Sequence, residues 1–93
     1  DEPVVTITSF GFARGASRTA DLMFDLRFLP NPHWLPELRP LTGKDRPVQD
    51  YVAAQDGWAE TMDRIETLLV DLIPRYWRAG KTYVAVAFGC TGG

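Results

Sequence analysis

A chain of 93 residues, 45% hydrophobic and 12% aromatic, is in the size range of one domain and has enough apolar material for a core. Its three Trp, five Phe and three Tyr exclude a disordered segment, and a net charge of −2 excludes a domain whose whole surface is a nucleic-acid footprint. The single cysteine, Cys90, excludes an internal disulfide and a cysteine-based zinc site and fits a reducing compartment.

VVTITSF, Val4 to Phe10, is short, β-branched and alternating, which predicts a strand ended by the glycines of GFARG. DLMFDLRF, Asp21 to Phe28, alternates more sharply. As a strand it puts Leu22, Phe24, Leu26 and Phe28 on one face and Met23, Asp25 and Arg27 on the other. LPNPHWLPELRPLTG carries four prolines, so neither helix nor central strand fits it. Its apolar residues, with Trp34 expected to pack, predict an ordered loop rather than a linker, so residues 1–93 are read as a single domain.

Asp45 is placed to cap a short helix near Pro47, with Val48, Tyr51 and Val52 on one side. From Trp58, apolar residues recur at spacings of three and four through Met62, Ile65, Leu69, Ile73 and Trp77, while Glu60, Asp63, Glu66, Asp71 and Arg78 fall opposite. Pro74 is expected to bend that helix or end its regular part, and Gly80 to stop it. KTYVAVAF lacks polar alternation, as a strand covered on both faces does. The order predicts an α/β fold: a small parallel sheet with helices packed on it, and a phosphate-binding loop at the carboxyl end of the last strand. No apolar run approaches the roughly 20 residues that span a bilayer and no leader is visible, so no membrane partner and a cytoplasmic location are expected.

In parallel α/β sheets, ligands bind outside the carboxyl ends of the strands. The loops leaving those ends here are GFARG, LPNPHW and GCTGG. Gly89, Gly92 and Gly93 surround Cys90 and Thr91, so backbone N–H groups and the Thr91 hydroxyl fit an anion cradle, and they fit an ordinary turn equally well. Arg14 is either a second phosphate cation or a solvated side chain, in a stretch from Arg14 to Arg46 that is basic on balance. His33, the one histidine, sits in a frame of Pro30, Pro32 and Pro36 that suits a ligand-binding or acid–base role as well as packing. Asp25 and Arg27 read equally as a structural ion pair or as a site in which Arg27 faces an anion and Asp25 orients a ligand hydroxyl or His33. Cys90 becomes a nucleophile only with a lowered pKa, and its residue type favours an inert small hydrophobe. With so few ligand-type side chains no metal site is expected.

SFGF followed by a basic residue and glycine, then FDLRFLPNPHW, LRPLTGKDRPV and GCTGG, in that order, resembles the C-terminal domain of the RapZ family of RNase adapter proteins, also described as P-loop-containing nucleotide-binding proteins. The resemblance covers almost the whole chain; Gln49 to Lys81 matches only as a helical spacer. It implies a domain that senses phosphorylated amino sugars, binds a small regulatory RNA and presents it to an endoribonuclease, in a full-length protein that is a homo-oligomer. It further implies that ATP or GTP belongs to a separate N-terminal domain, with no cofactor in this fragment. By position it assigns Asp25, Arg27, His33, Cys90, Thr91, Gly92 and Gly93 to ligand binding and none to catalysis. In the family the last loop runs on, after the cysteine and five further residues, to an arginine that this sequence does not include. That spacing also resembles the loop of cysteine phosphatases, which leaves an alternative in which Cys90 attacks phosphorus and Asp25 or His33 is the acid.

Overall fold

The computed structural model describes residues 2–91, apart from the side chain of His33. Strands β1 (Val4–Gly11), β2 (Leu22–Asp25) and β3 (Tyr83–Cys90) form one sheet in the order β1-β3-β2, and helices α1 (Arg46–Ala53) and α2 (Trp58–Arg78) lie between β2 and β3 in the chain. Both pairings are parallel: Val4 stands opposite Tyr83 and Gly11 opposite Cys90, while Leu22 stands opposite Val86 and Asp25 opposite Gly89. This is the small parallel α/β sheet that the order of elements predicts.

The last strand in the chain is the middle one in the sheet, which explains its composition. Val84, Val86 and Ala87 are 0%, 1% and 0% exposed. Alternation turns Val84, Val86 and Phe88 toward α2, where Phe88 shares an apolar groove with Met62, Ile65 and Ile7. Ala85, Ala87 and Gly89 face the opposite way, and Gly89 lies against the rings of Phe10 and Phe12. Phe24 of β2 stacks on Phe88 at 5.5 Å between ring centroids, so aromatic side chains of β2 and β3 meet on the α2 side of the sheet.

Asp21 staples the amino end of the sheet. Its N–H donates to the Ala85 carbonyl at 2.8 Å, its carboxylate accepts from Ala85 N at 2.8 Å, and Lys81 Nζ lies 2.9 Å away. At the other end β2 stops at Asp25, three residues before the predicted Phe28. Leu26 N–H still donates to the Gly89 carbonyl at 2.7 Å, but Arg27 N–H then turns to Asp25 Oδ1 at 2.9 Å and Leu29 N–H bonds Leu26 in a turn. A short acidic side chain thereby offers the backbone an alternative to the ladder. Phe28, expected to share a face with Leu22, Phe24 and Leu26, is exposed.

Asp45 occupies the cap position of α1 with extended backbone, and its carbonyl accepts from Val48 and Gln49. Its carboxylate points back to Thr42 N at 2.8 Å rather than into the first turn. α2 runs through Pro74 instead of ending there. Val70 and Pro74 are both exposed, so the carbonyl that loses its donor lies where water can reach it. The helix closes at Gly80 (φ 95°): Lys81 N–H reaches the Tyr76 carbonyl at 2.8 Å and Gly80 N–H that of Trp77 at 3.0 Å, the paired bonds of a Schellman end. No described helix is long and apolar enough to cross a membrane.

A candidate anion-binding rim at the carboxyl end of the sheet

Parallel register brings the carboxyl ends of the three strands to one rim, and hydrogen bonds tie the departing loops together there. Ala13, in the 3-10 turn Phe12–Arg14 after β1, donates its N–H to the Thr91 carbonyl at 3.2 Å. The Cys90 thiol donates to the Phe10 carbonyl at 3.6 Å, and Leu26 N–H holds the exit of β2 to Gly89. The start of GCTGG therefore lies between GFARG and the Asp25–Arg27 turn.

Asp25 and Arg27 form a mutual pair at this rim. Arg27 Nε donates to Oδ1 and Oδ2 at 3.0 and 3.1 Å, and Nη2 donates to Oδ2 at 2.7 Å. Both side chains are 50% exposed, so the pair stands at the surface and carries no burial penalty that only a partner could offset. The Arg27 side chain, and after it the Arg27 backbone N–H, holds the Asp25 carboxyl at about 2 against an ordinary 3.8. Asp25 in turn raises the pKa of Arg27. At neutral pH the site thus contains a carboxylate that accepts hydrogen bonds and a guanidinium that donates them.

The Arg27 guanidinium carbon lies 3.8 Å from the centroid of the Phe12 ring. Phe12 packs edge-on against Phe10, with centroids 4.9 Å apart at 66°. Phe12 is the contact that reading along the chain overlooks. Its neighbours come from β1, the turn after β2, and β3, and no local spacing signals that they meet.

The other expected site residues are placed as follows. Cys90 and Thr91 are exposed at the rim. His33 lies in the 3-10 turn Pro32–Trp34, which packs against α1, and its side chain is outside the described residues, as are Gly92 and Gly93. Arg14 is exposed at the end of the first turn, beside the Ala13–Thr91 bond. Trp34, expected to pack, is 68% exposed. Among the described residues no group of three His, Cys, Asp or Glu side chains is arranged to hold a metal ion.

A family model described as the RapZ C-terminal domain matches residues 3–93. The chain is 58% identical over 92 residues to a protein of Sphingopyxis alaskensis, covering 99% of this chain and 29% of that protein. It is 53% identical over 89 residues to one of Corynebacterium efficiens (96% of this chain, 28% of the relative). A Cutibacterium acnes protein is 58% identical over 87 residues (94% and 30%). All three relatives are named nucleotide-binding proteins, and the chain spans less than a third of their length. A three-stranded parallel α/β sheet with its loops tied at the carboxyl rim is the kind of protein that the fold defines. The chain belongs to the RapZ C-terminal domain family.

Proposed function

We propose that this domain binds a phosphorylated amino sugar, or a related small anion, at the carboxyl rim of its sheet. Occupancy then changes how the full-length cytoplasmic protein engages a small regulatory RNA and the endoribonuclease that processes it in amino-sugar metabolism. The observation that carries the reading is an ionised Arg27, fixed by Asp25 within a rim where the loops of all three strands are joined. Guanidinium groups recognise phosphate oxygens through paired, charge-assisted hydrogen bonds. The RNA and enzyme partners, the homo-oligomer and the placing of ATP or GTP in a separate domain are what the resemblance to the RapZ family implies, and they enter here as parts of the proposal. In the phosphatase alternative Asp25 is a poor acid, because a carboxyl held at about 2 has no proton to give a leaving group at neutral pH, which leaves that role to His33.

Calorimetric titration of the full-length protein with glucosamine 6-phosphate, inorganic phosphate and glucosamine tests this. Tightest binding of the phosphorylated sugar is expected, with a loss of about tenfold or more in Arg27→Met, as for the removal of a hydrogen bond to a charged group. Equal affinity for the sugar with and without phosphate overturns the proposal. A parallel titration with the regulatory RNA should show its affinity changing when the sugar phosphate is present.

A further inference from the structure

The Asp25–Arg27 pair alone does not account for where the guanidinium sits. Exposed ion pairs hold long side chains weakly, and both partners here lie two residues apart at the exit of β2. A second constraint comes from a different strand. The Arg27 guanidinium carbon stands over the ring of Phe12, just beyond β1, 3.8 Å from its centroid, and Phe10 holds that ring from the side. A third comes from β3. Gly89 lies opposite both Phe10 and Asp25 in the sheet, and a Cβ there would overlap the Phe12 ring and stand 2.7 Å from Phe10 Cζ. The central strand thus lacks a side chain at the position where the ring must rest. Asp25 takes Nε and Nη2 from the side, and no acceptor among the described residues meets the Nη1–Nη2 end.

We propose that Phe12, seated on Gly89, is a positioning residue of this rim: its ring fixes the plane of the Arg27 guanidinium so that the Nη1–Nη2 end faces a phosphate group. This rests on the anion-binding reading above and adds to it the residue that sets phosphate discrimination. Phe12 does not touch the phosphate. It acts through Arg27, so its loss affects recognition of the phosphorylated ligand and spares the neutral one.

The experiment compares the full-length protein with Phe12→Leu, Phe12→Tyr and Gly89→Ala, each checked for folding by thermal unfolding. In the ligand-free protein, the Arg27 Nε–Hε signal in nitrogen–proton spectra should be shifted by the ring and rigid. It should lose both properties in Phe12→Leu and keep them in Phe12→Tyr. In calorimetry, Phe12→Leu should weaken glucosamine 6-phosphate by roughly two- to fivefold, the size of an exposed cation–ring contact, and leave glucosamine unchanged. Phe12→Tyr should restore the preference. Gly89→Ala, which displaces the ring from below, should reproduce the loss. A Phe12→Leu protein that keeps the Arg27 signal and the preference overturns the role of Phe12 alone, as does equal weakening of both sugars. A wild-type protein with no preference for the phosphorylated sugar overturns the binding reading as well, whatever the Arg27 signal does.

Discussion

Asp25 closes β2 by capturing the Arg27 N–H, and the same carboxylate clamps the Arg27 guanidinium. Because its folded-state pKa lies below the ordinary 3.8, the pairing stabilises the fold above that value, and this contribution is lost as pH falls through about 2. Nothing in the pair changes between pH 8 and pH 5. The carboxyl carbon of Asp25 should titrate near 2 in NMR, and Arg27→Met should move that midpoint up toward 3.8. The change in sugar-phosphate affinity from pH 8 to pH 5 should therefore have the same slope in Asp25→Asn as in the wild type, because the Asp25 carboxyl does not titrate in that window. The two-residue spacing of Asp25 and Arg27 makes a pair legible in the sequence. It leaves open whether the pair is buried, and the surface location only appears once β2 is known to end there.

Among the elements, α2 shows where local rules hold and where they yield. Gly80 adopts a positive φ with nothing within 4 Å of where a Cβ would stand, so its requirement is one of backbone conformation alone. Gly80→Ala should destabilise the protein by about 1 kcal/mol in chemical denaturation, the cost of a left-handed conformation for a residue with a Cβ. Pro74 reads in the sequence as a bend in the helix or the end of its regular part, and the helix continues past it for a further turn to Arg78. Pro74→Ala should restore a bond to the Val70 carbonyl and stabilise the protein by up to about 3 kcal/mol in the same measurement. The apolar periodicity of α2 is readable because spacing is a local property. The sequence overextends β2 because the alternation through Phe28 persists after the backbone has turned away.

Across the whole molecule, the Cα radius of gyration is 14.9 Å, against roughly 12 Å for a compact chain of this length. The excess follows from a 21-residue helix whose apolar side is only partly covered: the groove between it and β1, about 500 Å³, is open, and Ile7 and Val70 on its walls are 66% and 69% exposed. Stability should therefore be concentrated in the centre of the sheet. Hydrogen exchange is expected to be slowest at Val84 to Ala87 and much faster in α1, which buries only Val48. Comparable protection of the two would show that the sheet does not dominate the packing.

Composition and periodicity by themselves determined the class of fold, the two helices and the continuous apolar character of Tyr83 to Phe88, because each depends on residues that are neighbours along the chain. Tertiary structure alone decided that this last strand lies between the other two, that Asp25, Gly89 and Phe12 meet, and that Gly89 is bare so that an aromatic ring can rest on it. Those facts depend on the register between strands more than fifty residues apart, which burial of the whole sheet selects and no local pattern encodes.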